Sequence, residues 1–257
     1  MNPLSLERIE SVRVQSRADI RRAAEALHDI GQELGMRVAP THNIADKTTP
    51  VDADGNLLAR DVFGWDDDEG AWWRNSRLAL DSPLTMACRV ESEPFWVNLD
   101  GFRTRLPNPN LDLLDLGNFA ARALTQAAIV VPVHMQFGQI GAVSFVPRNS
   151  GKSDLSDEFA RWGEILGIYG RSFVVTYAHA VALSQPVSNA PKLSRYEVEC
   201  LRWAAIGKTD SEISTIMARS RATIRYHLKN AADKLDAVNR SQTVFNATQL
   251  GYLISRI

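Results

Sequence analysis

The residues best placed to do chemistry lie near the C-terminal end of the chain. From about Arg221 to Leu235, the apolar residues Ile224, Leu228, Ala231 and Leu235 fall within one narrow sector when wound at about 100° per residue. That sector must pack inward, which leaves Ala222, Arg225, Tyr226 and Lys229 exposed, with Arg221 at the edge. Thr223 joins them as a candidate contact. Long donors and an aromatic beside a small residue suit the major groove of double-stranded DNA. Arginine can form paired hydrogen bonds to guanine there, and lysine can neutralise phosphate. Taken alone, the same helix also fits a solvated charged face.

Other patterns promise less. Gly151-Lys152-Ser153 and Gly207-Lys208-Thr209 resemble the end of a phosphate-binding loop, but Val146 and Arg202 stand where that loop needs an earlier glycine. The histidines at 28, 42, 134, 179 and 227 show neither metal spacing nor a nucleophile–base signature. No catalytic residue, metal or cofactor is therefore expected, and the chain does not read as an enzyme. Asp66 to Glu69 is an acidic run that reads as a solvated loop. Cys88 and Cys200 each sit in an apolar pattern and read as small buried residues.

The elements that must position the exposed face carry their own start signals. In Ser194-Arg195-Tyr196-Glu197 a hydroxyl precedes a glutamate by three residues, so each side chain can satisfy a free N–H at a helix start. Val198, Leu201 and Ala205 follow as an apolar stripe, and Gly207 ends it. Thr209 to Glu212 repeats the device before Ile213, Ile216 and Met217, and Ser220 is the natural N-cap of the third helix. Upstream, Ser184 to Lys192 contains two prolines among small polar residues and reads as a linker.

Before the linker, Ile20, Ala24, Leu27, Ile30 and Leu34 predict a helix stopped by Gly35. Asp154 to Leu183 predicts one long helix or two, with Ser153 as N-cap and Phe159, Trp162, Leu166, Phe173 and Tyr177 on its apolar face. Between these lie strand-like segments at Arg37 to Thr41, Ile129 to His134 and Gly141 to Val146, the last two forming a hairpin. Helices flanking a mainly antiparallel sheet make an α-β-α sandwich, an arrangement that often encloses a small-molecule pocket.

Charge is divided between the two parts. From Leu193 onward there are ten basic and six acidic residues, and before it nineteen and twenty-four, so a +4 segment follows a −5 body. A basic module on an acidic body suits polyanion binding by the module. With 45% hydrophobic and 23% charged residues the composition is that of a globular protein with a real core. The run Ala127 to Val133 is too short to span a bilayer, and the N-terminus lacks a secretory pattern, so a cytoplasmic location is expected.

The segment from Leu193 through Trp203, Gly207-Lys208-Thr209 and Glu212-Ile213, then Ser220 to Leu235 and Asn239-Arg240, resembles the DNA-binding domain of LuxR-type regulators, especially the quorum-sensing branch. Tyr196 departs from the family, which often has arginine beside the glutamate. The resemblance implies a fourth helix at Val238 to Leu253 that pairs two such domains, with Val244, Ala247 and Leu250 available for apolar contacts. It thus implies a homodimer on an inverted-repeat operator, with RNA polymerase as a further partner of an activator. The organisation expected is α/β: a signal-binding domain over 1–183, a linker at 184–192, and an all-α four-helix helix-turn-helix domain over 193–257.

The resemblance also implies a small diffusible signal such as an N-acyl or aryl homoserine lactone. Asp81 and Trp96 lie fifteen positions apart, similar to the family's aspartate and tryptophan that hold the signal's amide and lactone groups. Chemically, a carboxylate accepts an amide N–H and an indole N–H donates to a carbonyl. Pro132 resembles the family's pocket strand, but Ser82 separates Asp81 from Pro83, Ala128 replaces a glycine, and the upstream pocket tyrosines are missing. Trp72 falls at one tyrosine's spacing, with Trp73 and Trp65 near. Alternatively, the segment is shortened and Trp72 or Trp73 replaces the family's tryptophan. A ligand-independent or non-lactone regulator, and a phosphorylation-controlled response regulator, are the rival readings. The receiver of the latter needs an alternating β-α pattern that the N-terminal part lacks.

Overall fold

A computed structural model describes residues 8–45, 49–65, 80–182 and 192–253, and the chain divides into two compact units, with 192–253 in the second. Trp72, Trp73, the acidic run at 66–69 and most of the expected linker lie outside the described residues.

The first unit is built on a five-stranded antiparallel sheet of spatial order β1-β5-β4-β2-β3. Its strands are β1 (Met36–Thr41), β2 (Phe95–Asn98), β3 (Gly101–Arg103), β4 (Ala127–His134) and β5 (Ile140–Pro147). The three strands expected from alternation are present, each slightly longer. The β2–β3 hairpin was not expected: β3 is three residues long, too short to show a period of two. The helices, in chain order, are α1 (Ile9–Val12), α2 (Ile20–Glu33), α3 (Leu58–Asp61), α4 (Pro83–Ala87), α5 (Phe119–Ala123) and α6 (Ser156–Ala182).

Strand alternation divides the sheet into two faces. Val38, Phe145, Ile129 and Trp96 follow one another across the register on one face, and α2 and α6 pack there. The contact is close: a Cβ added at Gly170 of α6 would lie 3.2 Å from both Val131 and Val143, and one at Gly31 of α2 would meet the Val38 side chain. Phe159, Leu166, Phe173 and Tyr177 are buried along α6, and Trp162 is half-buried. The helix starts at Ser156 rather than after Ser153. Asp154 Oδ1 accepts the Ser156 N–H at 2.8 Å, so a carboxylate replaces the expected hydroxyl at this helix start. The opposite face carries Ala39, Ser144 and Val130 in register, beneath α4, α5 and Trp65. The result is the α-β-α sandwich.

Among the described residues the second unit has four α-helices, α7 (Arg195–Ala205), α8 (Asp210–Ile216), α9 (Arg221–Lys234) and α10 (Arg240–Gln249). Its core joins Cys200, Leu201, Ala204, Ile213, Ile224, Ala231, Leu235 and Ala247. Both expected capping boxes are formed, at Ser194/Glu197 and Thr209/Glu212, and Ser220 accepts the Thr223 N–H. All four helices end in the same way. A residue at positive φ follows the C-cap (Gly207, Ala218, Asp236, Gly251), and the N–H of the next residue returns to a carbonyl five positions back. Ala218, at φ 49°, bears a Cβ in a conformation that suits glycine.

Candidate nucleic-acid interface and ligand cavity

The exposed face of α9 exists because its opposite face is used up. Ile224 and Ala231 are fully buried and Leu228 half-buried, which turns Arg221, Ala222, Arg225, Tyr226 and Lys229 outward. Tyr226 is 62% exposed, which leaves a large apolar ring with a hydroxyl at its tip on the surface. Thr223 is half-buried, its hydroxyl 2.8 Å from Ser220 Oγ and its N–H bonded to the same atom, so it serves the helix start. Tyr196, the departure noted in the sequence, stacks on His227 with centroids 5.5 Å apart and planes 20° from parallel. The Arg219 guanidinium lies 5.9 Å from the centre of the Tyr196 ring. An arginine at position 196 would put a second cation beside Arg219. Tyrosine instead joins the two helices through its ring.

Ion pairs centred on Glu197 and Asp210 link the helices of this unit. Glu197, 4% exposed at its side chain, accepts Lys234 Nζ at 2.8 and 2.9 Å and the Ser194 N–H at 2.7 Å. Burial pushes its carboxyl up, but the Lys234 and Ser194 hydrogen bonds outweigh that and hold it below the ordinary glutamate value. Asp210, the first residue of α8, takes Arg240 Nη1 at 2.6 Å and lies 3.5 Å from Arg225 Nε. The exposed Glu212 carboxyl is pushed down to about 2 by the Thr209 N–H and hydroxyl and by Lys208.

Val244, Ala247 and Leu250 were expected to be available for pairing two domains. Ala247 is fully buried, and Val244 and Leu250 pack against the unit's own core. The helix turns these residues inward because α7 and α9 need covering, and it leaves Phe245 exposed instead, at 60%.

In the first unit a cavity of about 90 Å³ opens between the sheet and the short helices. It is lined by Ala39, Thr41, Val130, Ala142, Ser144 and Val146 from the sheet and by Trp65, Ser82, Leu84, Thr85, Cys88, Arg122, Ala123 and Leu124 above it. Most polar groups there are already engaged. The Trp65 indole N–H donates to the Val38 carbonyl at 2.7 Å, and the Thr41 and Thr85 hydroxyls donate to nearby carbonyls. Arg122 ties the rim together by donating to the carbonyls of Asp81, Asp115 and Gly117. Leu124, at φ 56°, is held in a conformation unusual for leucine at the cavity edge. Burial pushes the Cys88 thiol up to about 12, so it stays protonated.

The expected anchors are not brought together at this cavity. Trp96 pairs with Ile129, whose face carries α6, so alternation directs it away from Val130 and the cavity. Its ring is buried in the core with the Arg103 guanidinium 6.0 Å away. Asp81 is exposed and reaches the cavity rim through its main-chain carbonyl on Arg122. Ala128, fully buried, shares the cavity face with Val130 but lies one pair further along β4. Arg122 had no signal in the sequence, because beside the Asp115 carboxylate at 2.8 Å its partners are main-chain oxygens, up to 41 residues away.

A profile described as GerE, bacterial regulatory proteins, luxR family, matches residues 191–247. Over 189 residues the chain is 29% identical to the transcriptional activator protein AhyR of Aeromonas hydrophila, covering 73% of this chain and 70% of that protein. It is 33% identical over 141 residues to the quorum sensing-dependent transcriptional regulator RpaR of Rhodopseudomonas palustris, covering 52% of this chain and 54% of that protein. A crystal structure of Escherichia coli SdiA aligns over 97% of this chain and 96% of that one, with TM-score 0.47 and 19% identity.

Proposed function

We propose that the chain is a LuxR-type DNA-binding transcription regulator in which α9 enters the major groove and a small molecule bound in the first unit controls it, a reading supported by the family match over residues 191–247 and by the similarity to transcriptional activators and quorum sensing-dependent regulators. The observation that carries the first half is the exposed face of α9, with Arg225 65% exposed at its side chain beside Tyr226 and Lys229. Arg221, Arg225, Tyr226 and Lys229 contact DNA, Ala222 allows close approach, and Thr223 sets the helix start that places them. Replacing Arg225 with alanine weakens specific binding by about 1 to 3 kcal/mol if it reads a base. An equal loss on every sequence would demote it to a phosphate contact.

In this proposal two copies pair through α10, with exposed Phe245 in place of Val244, Ala247 and Leu250, and read an inverted repeat. Recovery of single, unrepeated half-sites from a selection on random DNA would exclude that arrangement. The domain limits proposed are 1–183, 184–192 and 193–257.

The cavity supports a small, mainly apolar signal, with N-acyl and aryl homoserine lactones as the compounds to screen. Ligand binding raises the melting temperature by mass action, so thermal-shift screening tests it directly. A second reading has its own support. At about 90 Å³ the cavity is well below the roughly 300 Å³ at which drug-sized sites begin. No stabilisation by any lactone, with a folded ligand-free dimer that binds DNA, would favour a ligand-independent regulator.

A further inference from the structure

Arg225 forms an ion pair on one side with a residue of a different helix. Asp210 Oδ2 lies 3.5 Å from Arg225 Nε, while Oδ1 takes Arg240 Nη1 at 2.6 Å. Arg240 also donates from Nη2 to the Lys208 carbonyl at 2.5 Å, so the carboxylate is fixed by the start of α10 rather than free to swing. Among the described residues no partner occupies the Nη groups of Arg225. A guanidinium drawn by charge toward a carboxylate on its Nε side turns its two Nη groups outward, the fork that matches guanine N7 and O6.

Asp210 is also a charge in the wrong place for a polyanion-binding surface. A carboxylate close to the groove repels phosphate, and removing one strengthens sequence-independent binding. Its contribution must therefore be to something other than total affinity.

We propose that Asp210 is a positioning residue for sequence reading, orienting the Arg225 guanidinium so that it contacts a guanine rather than phosphate. The inference rests on α9 being the element that enters the major groove. Arg225 would otherwise sample many rotamers and meet phosphates as readily as bases, because a long exposed side chain loses little by reaching either.

The test uses the full-length protein, an operator selected from random duplexes with the wild type, and a scrambled duplex of equal length. Asp210→Asn keeps an oxygen for Arg240 and removes the charge. It is expected to weaken operator binding about tenfold while binding to the scrambled duplex stays equal or rises. In an Arg225→Ala background, Asp210→Asn is expected to cause no further loss of operator preference. Arg225→Lys, a change on the exposed face that leaves the core untouched, is expected to lose preference to the same extent with or without Asp210→Asn. Equal losses on both duplexes for Asp210→Asn, or additive losses in the double variants, would overturn the positioning role. If Arg225→Ala itself weakens both duplexes alike, base reading by Arg225 is what fails, and the positioning role falls with it.

Discussion

Replacing Glu197 with alanine probes the link between the first and third helices of the second unit. The wild-type carboxylate is almost fully buried and accepts the Ser194 N–H and two contacts from Lys234. Loss of the capping-box partner costs about 1 kcal/mol. Loss of a hydrogen bond to a charged group costs about 1.5 to 3 kcal/mol, at the lower end here because half-exposed Lys234 regains water. We expect about 2.5 kcal/mol for alanine and about 1 kcal/mol for Glu197→Gln, which keeps an acceptor for Ser194. Hydrogen-exchange mass spectrometry on the full chain reads this as lost protection in the α7 and α9 peptides. The pH dependence has a definite sign. The folded carboxyl titrates below its ordinary value of 4.5, so its stabilisation is present above 4.5 and is lost as pH falls through the folded value. Glu197→Gln removes this component of the acid sensitivity. A loss under about 0.5 kcal/mol for alanine, or equal losses for alanine and glutamine, would refute the reasoning.

Three further outcomes are expected. Ala218→Gly relieves the positive φ between α8 and α9, and chemical denaturation should show a gain of about 1 kcal/mol; a loss would mean chain entropy outweighs the strain. Trp65→Phe leaves the Val38 carbonyl without its indole donor at 2.7 Å and should lower the stability of the first unit by about 1 to 3 kcal/mol, seen as a lower melting temperature. Ala142→Leu fills the cavity floor and should abolish any ligand-induced thermal shift while leaving DNA binding by the ligand-free protein unchanged. A ligand response that survives it would place the signal elsewhere.

Much of the second unit was legible because its signals are local. Ser194, Thr209 and Ser220 each act within three residues of their own position, and the stripe from Ile224 to Leu235 reports one helix's period. The long strands β4 and β5 showed themselves for the same reason, being long enough to display a pattern. What a residue two or more elements away contributes leaves no such trace. Nothing local to Asp210 marks it as a neighbour of Arg225, and nothing local to Arg122 marks it as the tie across a cavity rim.

By itself, then, the sequence determined the long elements, α2 and α6, strands β1, β4 and β5 and the helices of the second unit, and that a basic-faced helix near the C-terminus would be exposed. These follow from periodicity and capping, forces that act over a few residues. Only the tertiary structure decided which sheet face Trp96 occupies, because strand register, a pairing between distant segments, sets that face. It also decided that Val244, Ala247 and Leu250 would be spent on the unit's own core, and that residues from six separate stretches would enclose one cavity. Burial is shared among whichever elements meet, so no one segment carries the information that allocates it.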